Sequence, residues 1–153
     1  MLASKKRMKI HKIKLTTFFV SILSANFLFG NYAFKKKVKN ICKSYRITVE
    51  SDQFELENDT FYLTLESGRN NFEMFMVVGF AAAGQAVAHQ KDLGLSNAYT
   101  PGNVQVTVRV PASKDTFNTF VASCSSDLAN ELAQGKIDSS EFMQKITKNL
   151  KII

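Results

Sequence analysis

Between Asn70 and Lys91 the chain carries only two charges, Glu73 at the start and Lys91 at the end, and this segment dictates most of what the rest can be. Phe72, Phe75, Met76, Val78, Phe80, Val87 and a run of alanines leave it little polar face, so a helix here must be covered on nearly every side. Gly79, Ala83, Gly84 and Ala88 put small residues at close spacing and let neighbouring elements approach its backbone. As a membrane span it reads poorly. Glu73 and Gln85 interrupt it, the apolar run is at the short end, and it closes in His89, Gln90, Lys91 and Asp92 before the helix stop at Gly94. A central buried helix is expected.

Cover for that helix has to come from strands. Ile47 and Val49, then Phe54 and Leu56, then Phe61, Leu63 and Leu65 recur with period two, and Ser51-Asp52 and Asn58-Asp59 break the runs where turns belong. The pattern predicts a three-stranded antiparallel meander over about 45-50, 53-57 and 60-66. Val104, Val106, Val108 and Val110 alternate with Gln105, Thr107 and Arg109, which gives a half-buried strand after the Pro101-Gly102 loop. Residues 116-124 read as its hairpin partner, although Phe117, Phe120, Val121, Cys124 and Leu128 also fit helical spacing.

Two short helices close the chain, about 126-134 and 139-149. Serines 125 and 126 suit the cap of the first and Gly135 its stop, while Asp138 and Glu141 make a start signal for the second. The expected fold is α+β: an antiparallel sheet, made of the meander and the later hairpin, packed against one long apolar helix and two short C-terminal helices.

The N-terminus has a different character. Lys5, Lys6, Arg7, Lys9, Lys12 and Lys14 precede an uncharged run from Leu15 to Phe34, the order found in a signal peptide or a membrane anchor. Ala25, Gly30 and Ala33 are candidate processing points, none within a clean A-x-A pattern. Lys35, Lys36, Lys37 and Lys39 follow at once and resist translocation, which keeps an uncleaved anchor open. A mitochondrial-type or buried segment is the third reading. The chain therefore divides into residues 1-33 as signal peptide or anchor, 34-44 as a basic linker, and 45-153 as a single α+β domain. The expected location is exported, periplasmic or secreted, or inner-membrane anchored by residues 15-34.

The net charge of +7 belongs to one end. From Ile47 onward there are 8 basic and 13 acidic residues, a net of −5. Nucleic-acid binding needs a basic stripe on the folded surface and is not expected of this domain. The basic patch Lys35, Lys36, Lys37 and Lys39 is better suited to a solvated or membrane-flanking role.

Catalytic chemistry has few residues to work with. His89 is the only imidazole in the domain and the sole candidate general base, with Asp92, Tyr99 and Arg109 as neighbours to consider; an ordinary helix-end histidine favoured by the dipole is the better explanation. Cys42 and Cys124 are the only thiols and form a disulfide candidate in an oxidising compartment. No metal site is expected, since zinc-type spacing is missing and Asp52, Glu55, Glu57 and Asp59 lack the loop of a calcium hand. No cofactor is expected either, because neither phosphate-binding glycine pattern occurs.

These features favour a small cell-envelope binding or assembly module without catalytic activity, whose partner is another envelope protein. Gln105, Thr107 and Arg109, taken as an edge of the Val104 to Val110 strand, are its first binding-surface candidates. The alternatives are a small enzyme using His89, or a membrane-anchored protein with a basic juxtamembrane patch.

Overall fold

A computed structural model describes residues 30–153. The basic leader with His11, the processing point at Ala25 and the apolar run as far as Phe29 lie outside the described residues.

The fold is α+β: a mixed five-stranded sheet with four α-helices among the described residues. The strands are β1 (Phe54–Leu56), β2 (Thr60–Glu66), β3 (Asn103–Ser113), β4 (Thr116–Ser125) and β5 (Lys151–Ile152), and they lie side by side in sequence order. Helix α1 covers 30–44, α2 Phe72–Leu93, α3 Ser126–Ala133 and α4 Ser139–Thr147.

Alternation in the strands builds one dry face. Phe61, Val104 and Cys124 share a cross-strand row, as do Leu63, Val106 and Ala122, and Leu65, Val108 and Phe120. All but Cys124, which is half-buried, belong to the buried core. At about 1.5–3 kcal/mol per fully buried aliphatic or aromatic side chain, these rows are a large part of what opposes chain entropy. The other face carries Tyr62, Thr64, Gln105 and Thr107, half-exposed and polar.

Helix α2 lies on the dry face. A Cβ on Gly79 would stand 2.9 Å from Val106 Cγ1 and 3.2 Å from Leu65 Cδ1, so the missing side chain sets how low the helix rides on the sheet. Gly84 does the same toward α3, where a Cβ would run into the Ala129 carbonyl. By length and composition α2 could cross a membrane, but half of its most apolar window is buried within the fold, with Met76, Phe80, Ala83 and Val87 at or near zero exposure. Phe142 of α4 meets Phe80 edge to face with ring centroids 5.2 Å apart.

Several expectations need correction. Strands β2 and β3 are parallel, Thr60 pairing with Asn103 through Glu66 with Arg109, because α2 carries the chain back across the sheet before β3 begins. The sheet is therefore not a meander plus a separate hairpin. Residues 47–50 are extended and bury Ile47 and Val49 without joining the ladder, and Ser51–Gln53 is a single 3-10 turn, so only β1 and β2 pair antiparallel there. The hairpin partner expected over residues 116–124 is present as β4, antiparallel to β3, and the competing helical spacing is not used. The C-terminus adds β5, pairing Phe120 with Ile152 and Val121 with Lys151.

The supposed basic linker, 34-44, is helical. Phe34, Val38 and Cys42 recur at helical spacing with no exposed surface, and the lysines occupy the remaining sides of the turn. Phe34 packs on Phe61 at 4.8 Å and on Tyr99 at 4.9 Å, both edge to face. Arg46, at φ 63°, ends the helix in the left-handed region while Ile47 N donates to the Cys42 carbonyl at 3.0 Å.

Candidate functional site

The structure separates the residues considered for catalysis. His89 is exposed near the end of α2 and shares a shallow depression of about 210 Å³ with Lys37, Asp92, Asn130 and Gln134, but its imidazole has no hydrogen bond or ion pair with another described residue. Tyr99 is employed elsewhere. Its hydroxyl donates to the Glu57 carbonyl at 2.7 Å, sharing the proton with the Thr60 carbonyl at 3.2 Å, and so braces the β1–β2 turn. Burial, reinforced by nearby Glu57, Tyr62 and Asp59, pushes its phenol well above the usual tyrosine range.

Arg109 lies on the open sheet face, donating to Glu66 Oε1 at 3.0 Å with its guanidinium 4.5 Å from the centroid of the Phe117 ring. Gln105, Thr107 and Arg109 do share that face, but β3 is the middle strand and its backbone is paired on both sides. They offer a surface and no free edge. A shallow hollow of about 410 Å³ lies at one end, between Tyr62, Gln105, Ser123 and Asn149.

Cys42 and Cys124 are both free. Cys42 is buried in α1 and Cys124 half-buried in β4, and no bond joins them. Desolvation raises both thiols, Cys42 to about 11 and Cys124 to about 12, against smaller lowering by backbone hydrogen bonds. Neither is primed as a nucleophile. Among the described residues, no group of three or more His, Cys, Asp or Glu side chains converges as a metal site would require.

Among the described residues there is also a larger concavity that periodicity does not disclose. Between the first half of α2 and helix α4 runs an open groove of about 800 Å³. Met74, Val77 and Ala81 line one wall at i, i+3 and i+7; Ser139, Met143 and Thr147 line the other at i, i+4 and i+8. Phe142 and Ile146 turn inward from α4 and anchor it, leaving Met143 on the flank. Tyr45, beyond the end of α1, closes the groove and is 57% exposed; Met74 is 46% exposed. Glu73 is the only charged lining residue and makes no ion pair among the described residues.

The signal for this groove was present in α2. A helix apolar on every side, in a protein of two layers, has more apolar surface than one sheet and its neighbouring helices can cover. Asp138 accepts from Glu141 N at 2.8 Å and fixes where α4 begins, beside the groove. No family model, curated protein or solved structure matches the chain.

Proposed function

We propose that this protein is a small binding and assembly module of the cell envelope, without catalytic activity and held at the membrane by its N-terminal apolar segment. In this reading, the α2/α4 groove takes an amphipathic helical segment of another envelope protein. The observation that carries it is the groove itself, where an uncovered apolar stripe at helical spacing faces a second helix across an open floor. Helix-in-groove recognition uses anchors at i, i+3/i+4 and i+7, and methionine side chains such as Met74 and Met143 adapt to varied anchors. Glu73 at the rim calls for a basic residue on the incoming segment.

Two features support the tether. The run from Leu15 to Phe29 is uncharged and follows a basic stretch, the order of an N-terminal anchor, and the processing points Gly30 and Ala33 fall inside α1, where cleavage would cut into a helix that carries part of the core.

The test uses the full chain in neutral nanodiscs with methyl-labelled methionine, titrated with a Leu/Lys helical peptide of about five turns, roughly 18 residues. The Met74 and Met143 signals should shift saturably while buried Met76 stays still. Met74→Asp should abolish the response and Glu73→Gln should weaken it. An unchanged response in Met74→Asp would remove the groove from consideration.

A further inference from the structure

We propose that the end of the domain formed by the start of α1 and the loop after α2 rests on an acidic lipid surface, with Tyr32, Leu93 and Leu95 in the interface and Lys35 and Lys36 among the headgroups. The inference rests on the tethered reading above, but it concerns a different surface from the groove.

Three exposed apolar residues lie on the two segments that meet where the described chain begins, Tyr32 in the first turn of α1, Leu93 at the end of α2 and Leu95 in the loop after it. Gly30 packs so closely on the loop after α2 that a Cβ there would overlap the Asn97 carbonyl oxygen. Leu95 belongs to the same loop, its carbonyl accepting from Ala98 N at 3.1 Å, and Leu93 is the last residue of α2. Tyr32 is 65% exposed, Leu95 56% and Leu93 47%. Exposed apolar side chains such as these are poorly placed in water but suit the zone between headgroups and acyl chains, where tyrosine is favoured.

What meets these residues follows from the sequence just outside them, because the uncharged run that starts at Leu15 leads directly into α1. Any bilayer holding that run is brought against Gly30 and its neighbours. Lys35 and Lys36 stand five and six residues further on, about 8–9 Å along the helix, close to the depth of a headgroup layer. Positive charge there matches an acidic leaflet.

The chain has no tryptophan, so a single introduced one reports its own surroundings. Full-length Leu95→Trp and, separately, Tyr32→Trp would be reconstituted into vesicles of phosphatidylcholine with phosphatidylglycerol, with Met74→Trp as the reporter at the far end of α2. Leu95→Trp and Tyr32→Trp should shift to the blue and be quenched by brominated lipid, more so with the acidic lipid and less at high salt; Met74→Trp should show neither effect. If the chain sediments with vesicles yet neither reporter is quenched more than Met74→Trp, the tether stands and the lipid-facing surface is refuted. If the chain does not sediment with vesicles, both are refuted.

Discussion

Phe34 meets Tyr99 edge to face with ring centroids 4.9 Å apart, which fastens the helix that follows the N-terminal apolar run to the loop that ends α2. Phe34 is fully buried, so Phe34→Ala should cost about 3–5 kcal/mol in urea unfolding. Truncation to residue 34 should likewise lower the midpoint, because it removes the first turn of α1. A truncated chain as stable as the full one would mean that this turn contributes nothing.

Gly84 and Gly79 should respond differently to alanine. The added methyl at Gly84 meets backbone, the Ala129 carbonyl, which cannot move without shifting α3. At Gly79 it meets the side-chain tips of Val106 and Leu65. Gly84→Ala should therefore destabilise by about 1–3 kcal/mol and Gly79→Ala by less, as thermal melts of the two variants would reveal.

The thiols give a pH signature. Folding raises the Cys42 thiol from 9.0 to about 11 and Cys124 from 9.0 to about 12, so the fold favours the protonated forms. That contribution is complete below pH 9 and is lost as the pH climbs through 11 and then 12. Urea midpoints should fall over this range, and less in a Cys42→Ala, Cys124→Ala double variant. Tyr99, also raised, adds to the alkaline loss in both proteins. Thiol titration at pH 8 should find both cysteines slow to react in the native state and fast in denaturant.

Arg46 holds a backbone conformation, φ 63°, that costs an L-residue and suits glycine. Arg46→Gly should leave stability unchanged or raise it by up to about 1 kcal/mol, relief of strain being partly offset by a more flexible unfolded chain. A clear loss would mean that the Arg46 side chain contributes more than its exposure suggests.

Much of the architecture was legible because local and tertiary demands agree. The β2 and β3 alternations coincide with the buried face, α2 had no polar side to expose, and the caps at Ser125 and Asp138 sit where their helices begin. Helix α1 was hidden by its lysines, which crowd the solvent side of a narrow Phe34, Val38, Cys42 stripe, and by Arg46 standing where a glycine would have marked the end. The parallel register was not local information, since it depends on where α2 returns the chain. The same is true of β5, whose two residues are recruited by β4. At the candidate site, Glu73 reads in the sequence as an interruption of the apolar helix, whereas its position at the groove rim follows only from how far α4 stands from α2.

The parallel pairing of β2 with β3 also orders the events of folding. The β3–β4 hairpin closes through a turn at Lys114-Asp115 and needs only local search, whereas Phe61 cannot find Val104 until the intervening segment has been drawn in. Destabilising mutations at Val106 or Ala122 should then slow refolding in proportion to their cost, while one at Leu63 should chiefly speed unfolding, leaving β2 the last central strand to commit.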